Sequence, residues 1–259
     1  MSDDLQLAAV RQQNIVALIN KNQSAKLGEL CERFGVSEAT IRRDLATLET
    51  KGQLSRTHGG AVTNRPVSLD LSNENRAVSN VEEKGRIAVA AAKLITGNQT
   101  VFLDAGTTAL EIARRAPEKS SCRFVTSSLG IANELRKQGI NFLYVIGGTY
   151  LEVNDSFSGS IAISTIRSLS FDLAFLCVAA IDLERKQISV GSETYSQVQK
   201  EVISVSRQNY VVADHTKFRS SAFVSTATLN QLDGVITTDL VDRELLERMK
   251  VSNLDVVLG

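Results

Sequence analysis

Cysteine is scarce in this chain of 259 residues, and its three copies, Cys31, Cys122 and Cys177, lie far apart. No pair has the short spacing of a metal site or a redox motif, so no metal ligand set or cofactor is expected from them. Cys31 and Cys177 fall within apolar patterns and are expected to be reduced core residues. Apolar runs of membrane length are missing, as is a leading segment of signal-peptide type. A reducing cytoplasm is therefore the expected compartment, with no membrane partner. Net charge is missing too: 29 Lys and Arg balance 29 Asp and Glu, which excludes a uniformly basic binder of nucleic acid. Only two prolines interrupt the chain, and one of them, Pro66, sits in a stretch poor in apolar residues.

What is present is unevenly spread. The length allows one large domain, or a small and a medium one. Between Arg11 and Arg65 nine basic residues face five acidic ones, a local excess of four in a neutral chain. The remainder is therefore net acidic. A local excess of this size suits contacts with phosphate.

The same stretch carries three helical apolar patterns. Ile15, Leu18 and Ile19 define the first; Leu27, Leu30, Cys31 and Phe34 the second; Ile41, Leu45 and Leu48 the third. Gly35 follows the second, where a left-handed residue ends a helix. Ser37 precedes the third as an N-cap, and Glu38 complements the dipole of its first turn. Helix, short turn, helix is the arrangement of a helix-turn-helix. With its apolar stripe buried, the third helix leaves Glu38, Thr40, Arg42, Arg43 and Thr47 outward. A helix of this kind fits the major groove, where arginine pairs with guanine or grips phosphate. Asp44 is expected to pair with an arginine instead of approaching DNA. Gly52 closes the helix, and residues 54–62 read as a hairpin wing from which Arg56 and His58 reach backbone or minor groove. The plainer alternative is a three-helix packing domain with a solvated charged face.

The run Val36-Ser-Glu-Ala-Thr-Ile-Arg-Arg-Asp-Leu45 resembles the recognition-helix signature of DeoR-type bacterial repressors. Leu54-Ser-Arg-Thr-His-Gly-Gly-Ala61 resembles the motif that follows it there. The resemblance implies DNA-binding roles for Ser37, Thr40, Arg42, Arg43, Arg56 and His58. It also implies double-stranded operator DNA as partner and a homo-oligomer, dimer or tetramer, acting on repeated half-sites.

Residues 8–63 are thus read as a winged helix-turn-helix domain and 64–80 as a linker or extended crossing segment. The third segment, 81–259, changes pattern. Ile87, Ala91, Leu94 and Ile95 mark a helix closed by Gly97. Short apolar runs then alternate with helical stretches. Val101–Leu103, Phe124–Val125, Phe142–Ile146, Leu173–Val178, Tyr210–Ala213 and Gly234–Ile236 read as strands, with helices near 109–116, 131–137 and 160–169. Near-continuous apolar strands separated by helices predict a mostly parallel α/β sheet covered on both faces. Polar loops follow these strands: Asp104, Gly106, Thr107 and Thr108; Thr126, Ser127 and Ser128; Gly147 and Gly148; Asp214 and Lys217. In a parallel sheet they gather at one edge, where open α/β folds bind ligands. Gly106, Thr107 and Thr108 offer N–H groups and hydroxyls to an anion. Asp104 can hold sugar hydroxyls, and Lys217 can meet a phosphate or carboxylate. Each loop taken alone reads more readily as a capped or tight turn than as a ligand site; their convergence supports a ligand.

These loops, with Phe157-Ser-Gly159 and Ala213-Asp-His-Thr-Lys-Phe218, resemble the effector domain of DeoR-type repressors. The resemblance implies a fold similar to ribose-5-phosphate isomerase and a phosphorylated sugar or polyol as effector. It departs at residues 193–200, where the family often carries acidic residues followed by a Lys-Arg pair. Here the run is Glu-Thr-Tyr-Ser-Gln-Val-Gln-Lys, so no role passes securely to Glu193 or Lys200. From the residues alone, a sugar-phosphate isomerase or lyase using Asp104, Asp214 and Lys217 as acid–base groups stays open, as does a pure interaction module. A ligand-controlled repressor of a carbohydrate operon, without catalysis, is the reading that uses both modules.

Overall fold

A computed structural model describes residues 2–22, 24–57, 59–63, 76–116, 121–218, 221–251 and 254–259. The chain clusters into two compact units, residues 1–69 and 70–259. His58 and residues 64–75 of the expected linker lie outside the described residues.

The first unit runs α1 (Ser2–Asn22), β1 (Ser24–Lys26), α2 (Leu27–Phe34), α3 (Glu38–Thr50), β2 (Leu54–Thr57) and β3 (Gly60–Thr63). The apolar stripes close on one another: Ile15, Leu30, Ile41, Leu45, Leu48 and Leu54 are each at most 2 % exposed. Burial of each such side chain contributes roughly 1.5–3 kcal/mol. Leu18, Cys31 and Phe34 pack at the margin of this core, so Cys31 is half-buried. Gly35 stands at φ 62° and its N–H bonds the Cys31 carbonyl, ending α2. Ser37 Oγ accepts the Thr40 N–H at 3.4 Å, starting α3. The hairpin β2–β3 forms as expected, and β1 joins it as a third antiparallel strand in the order β1-β3-β2. That strand leaves room only for glycine at position 60, where a Cβ would meet the Ala25 carbonyl oxygen at 2.0 Å.

The second unit begins with α4 (Val81–Leu94), which starts a full turn earlier than its apolar pattern predicts and ends before Gly97. There follow β4 (Thr100–Leu103), α5 (Thr107–Ala113), β5 (Arg123–Thr126), α6 (Leu129–Lys137), β6 (Leu143–Val145), β7 (Thr149–Leu151), β8 (Ser156–Ser158), α7 (Gly159–Arg167), β9 (Leu173–Cys177), β10 (Ala180–Asp182), β11 (Gln187–Val190) and α8 (Glu193–Val205). The unit closes with β12 (Asn209–Val212), β13 (Val224–Thr228), β14 (Gly234–Thr237), α9 (Arg243–Val251) and β15 (Asp255–Leu258). Seven strands form one sheet in the order β15-β14-β12-β9-β4-β5-β6, and every pair is parallel. One apolar cluster joins Ile87, Ala109, Ile112, Ile131 and Leu135 to one face of the sheet. A second joins Ala162, Ile166, Val198, Val202 and Met249 to the other. The expected parallel α/β sheet covered on both faces is therefore what forms. An antiparallel sheet, β10-β11-β13, and the hairpin β7–β8 are additions. No helix among the described residues is long and apolar enough to cross a membrane.

Candidate nucleic-acid interface and effector site

In the first unit the described side chains predicted to meet DNA lie at α3 and on strand β2. Asp44 is buried and takes Arg11 Nε at 2.6 Å and Gln12 Nε2 at 2.9 Å, the arginine pairing expected of it. It fastens α1 to α3. Ser37 and Thr40 share a hydroxyl contact at 3.0 Å at the start of α3. Arg42 is exposed and bonded to Glu38, Nε at 3.0 Å and Nη2 at 2.5 Å. Arg43 is exposed and has no ion pair among the described residues. Arg56 projects from β2 and is tied to Glu49, a residue that the sequence reading passed over. The Arg56 N–H and side chain hold the Glu49 carboxyl below the usual carboxylate range. Arg42, Leu45, Glu49, Arg56, Thr57 and Gly60 line a groove of about 470 Å³ between α3 and the wing.

In the second unit, the parallel sheet places all four predicted loops at the C-terminal edge of the strands, after β4, β5, β6 and β12. Their side chains serve different ends. Asp104 is fully buried and its oxygens are taken: Oδ1 by the Ala105 N–H at 2.8 Å, Oδ2 by the Cys177 N–H at 2.9 Å and Gln199 Nε2 at 2.6 Å. The direct grip on sugar hydroxyls read from its position gives way, in this geometry, to shaping the loop. Burial pushes its carboxyl up to about 6, against the hydrogen bonds from Gln199, Tyr195, Cys177 and Ala105. The Tyr195 hydroxyl donates to the Ala105 carbonyl at 2.6 Å. Gly106 and Thr107 are partly open, while Thr108 is buried. A Cβ at Gly106 would meet the Cys177 sulfur at 2.6 Å, so only glycine lets the loop lie there. Cys177, like Cys31, is half-buried at the margin of its core, and burial of its sulfur with Asp104 nearby pushes the thiol up to about 12. The fully buried cysteine of the unit is Cys122.

The β5 loop is mostly structural. Thr126 Oγ1 accepts the Ser128 N–H at 3.1 Å, and Ser128 Oγ caps α6 through Ile131. Ser127 is buried, and its hydroxyl has no partner among the described residues. Gly147 is exposed; Gly148, at φ 148°, runs so close to β8 that a Cβ would meet the Ser158 carbonyl oxygen at 2.4 Å.

The charged centre gathers around Asp214. Burial raises its carboxyl, but Lys217, Thr216, Lys84 and His215 outweigh this and hold it below its usual value. Lys84, on α4, is buried; that brings its ammonium down to about 8, with Asp214, Lys217, Cys177 and Arg76 within electrostatic reach. Its Nζ donates to the carbonyls of Arg76 and Ser79. Arg76 donates Nη2 to the Val153 carbonyl at 3.0 Å and to Asn154 Oδ1 at 3.3 Å, while its buried Nε has no partner among the described residues. Arg76 and Ser79, counted with the linker from sequence, are thus bonded into this unit. Glu83 takes the His215 N–H at 2.8 Å, His215 Nδ1 at 2.7 Å and the Thr238 hydroxyl at 2.7 Å, fixing two edge loops to α4. Glu193 and Lys200 are exposed on α8; Tyr195 and Gln199 are the residues that it turns inward.

Two family profiles match the chain: the DeoR-like helix-turn-helix domain over residues 11–67 and the DeoR C terminal sensor domain over residues 79–239. The transcriptional repressor AccR of Agrobacterium fabrum is 41% identical over 92% of this chain and 92% of its own length. The lactose phosphotransferase system repressor of Staphylococcus aureus is 32% identical over 93% of this chain and 95% of its own. Among solved structures, ribose 5-phosphate isomerase A from Methanocaldococcus jannaschii is similar at 17% identity and a TM-score of 0.42, over 54% of this chain and 56% of that one.

Proposed function

Because the chain belongs to the DeoR family of DNA-binding transcriptional repressors, we propose that it represses a carbohydrate-utilisation operon and is released when a phosphorylated sugar or polyol binds the second unit. The observation that carries this reading is the gathering of Arg76, Lys84 and Lys217 about Asp214 at the sheet edge, beside the open Gly106–Thr107 loop. Three cations against the two buried acids Asp214 and Glu83 leave a surplus of one positive charge, which a phosphate satisfies. The loop N–H groups supply donors for hydroxyls. DNA binding rests on Thr40, Arg42 and Arg43 of α3 and on Arg56 of the wing, with Ser37 setting the helix start. A ligand shifts DNA affinity only by binding one arrangement of the protein better than another.

A regulator is favoured over an isomerase by the named relatives, which are repressors. The full enclosure of Asp104, one of the proposed acid–base groups, points the same way. The chain acts as a homo-oligomer in this reading. Edge strand β6 supports that, since Tyr144 and Val145 on it are 44% and 41% exposed and Phe142, just before it, is 56% exposed.

Thermal unfolding of the full chain with pentose, hexose and polyol phosphates, their unphosphorylated parents and inorganic phosphate tests the proposal. Stabilisation by one phosphorylated compound, accompanied by release of operator DNA in a gel shift, is expected. Equal stabilisation by the unphosphorylated parents, or protein-dependent interconversion of a sugar phosphate, would overturn it.

A further inference from the structure

β2 lies at the edge of the wing sheet, in the order β1-β3-β2, so half of its main-chain polar groups face away from a partner strand. At Arg56 that outward N–H is met by Glu49 Oε1 at 2.9 Å, while Glu49 Oε2 takes Arg56 Nε at 2.7 Å. One carboxylate, in the last turn of α3, therefore grips both the main chain and the side chain of one wing residue. The three residues between α3 and β2 are too few to let helix and strand swing apart once this grip is made. With Nε occupied, the guanidinium keeps two Nη groups, and neither has a partner among the described residues. They border the groove shared with Arg42, whose Nε is held in the same manner by Glu38.

We propose that Glu49 is a positioning residue for DNA recognition: it locks the wing to the recognition helix and aims the free Nη groups of Arg56 at a backbone phosphate. This rests on the reading that α3 and the wing form the DNA-contacting face. Simple electrostatics gives the opposite sign. A carboxylate beside DNA repels phosphate, and its removal makes the face more basic, so binding would tighten. Positioning makes binding weaken although charge repulsion has been relieved.

The test uses the full chain and a duplex selected from random sequence by the wild-type protein, titrated over a range of salt concentrations. Glu49→Gln keeps the size but presents an amide N–H₂ where an acceptor is needed. It is expected to bind about tenfold more weakly. The slope of log K against log salt should fall by about one phosphate contact. Glu49→Asp keeps the charge but shortens the reach, and is expected to lose affinity in the same way; an electrostatic role would leave it unchanged. Arg56→Ala should lose the phosphate contact, and adding Glu49→Gln to it should cost less than Glu49→Gln costs in the wild type, because only the main-chain grip is left to lose. Hydroxyl-radical footprints should lose protection at the wing while keeping it at the recognition helix. Glu49 variants that bind as tightly as wild type or tighter, with an unchanged slope, sink the positioning role. The Arg42→Ala/Arg43→Ala variant tests the underlying reading separately: wild-type binding there would remove the DNA-contacting face itself.

Discussion

Gln199 donates its side-chain amide to the Asp104 carboxylate at 2.6 Å and, at the same distance, to the carbonyl of Cys177. A neutral group thus supports a fully buried acid beneath the Gly106–Thr107 loop, and the Gln199 carbonyl oxygen has no partner among the described residues. Burial without a paired cation raises the carboxyl from its usual 3.8 to about 6.

The consequence is a stability that depends on acidity. A raised folded-state value means that the folded protein holds the proton more tightly than the unfolded chain. The contribution is full below about pH 4 and is lost as pH rises to about 6, amounting to about 3 kcal/mol. Thermal unfolding of Asp104→Asn between pH 4 and 8 is expected to lack this fall, whereas wild type shows it. Identical pH profiles would remove the buried-acid account.

Ligand response should be separable from DNA binding. At a phosphorylated effector concentration a hundredfold above Kd, the wild-type chain should gain about 2.7 kcal/mol of stability. Lys217→Ala is expected to gain none of it while still shifting operator DNA on a gel. Retention of the full gain would move the phosphate away from the Asp214 cluster.

Asp44 joins α1 to α3 while only 4% exposed. Asp44→Ala strands Arg11 and Gln12 without their acceptor and should cost about 1–3 kcal/mol. Denaturant unfolding of the full chain checks this, with the first transition moving and the second unchanged.

Assembly can be probed at edge strand β6. Tyr144→Lys places a charge on an exposed, apolar strand edge and should lower the mass measured by light scattering, without altering the melting of the α/β unit. An unchanged mass would put the contact elsewhere.

Much of the fold was legible because physics writes it into local pattern. β4, β9 and β12 are buried on both faces, so they read as unbroken apolar runs. β1 did not read, because Ser-Ala-Lys carries no such run and exists as a strand only by pairing with β3. β13 pairs with β11 across a long sequence separation, which local periodicity does not report, while β10 and β11 are two short strands of one hairpin. In the site, the loops were found because each follows a strand. Arg76 and Lys84 were missed because they reach the edge from a helix and the junction before it. A signal was present for Lys84: it occupies the apolar stripe with Ile87, Ala88 and Ala91, where a charge is out of place. Gln199 carries the same signal on α8, between Tyr195 and Val202.

Lys84 is fastened to the junction segment through the carbonyl groups of Arg76 and Ser79. Every amino acid brings that carbonyl. Substitution at either position therefore changes which side chain faces the ligand or solvent without deleting the anchor points. The attachment follows the course of the main chain, and the lysine is its one irreplaceable half. A junction built in this way can drift in sequence, retuning what it offers to an effector, while the chain continues to leave the α/β unit from the same place.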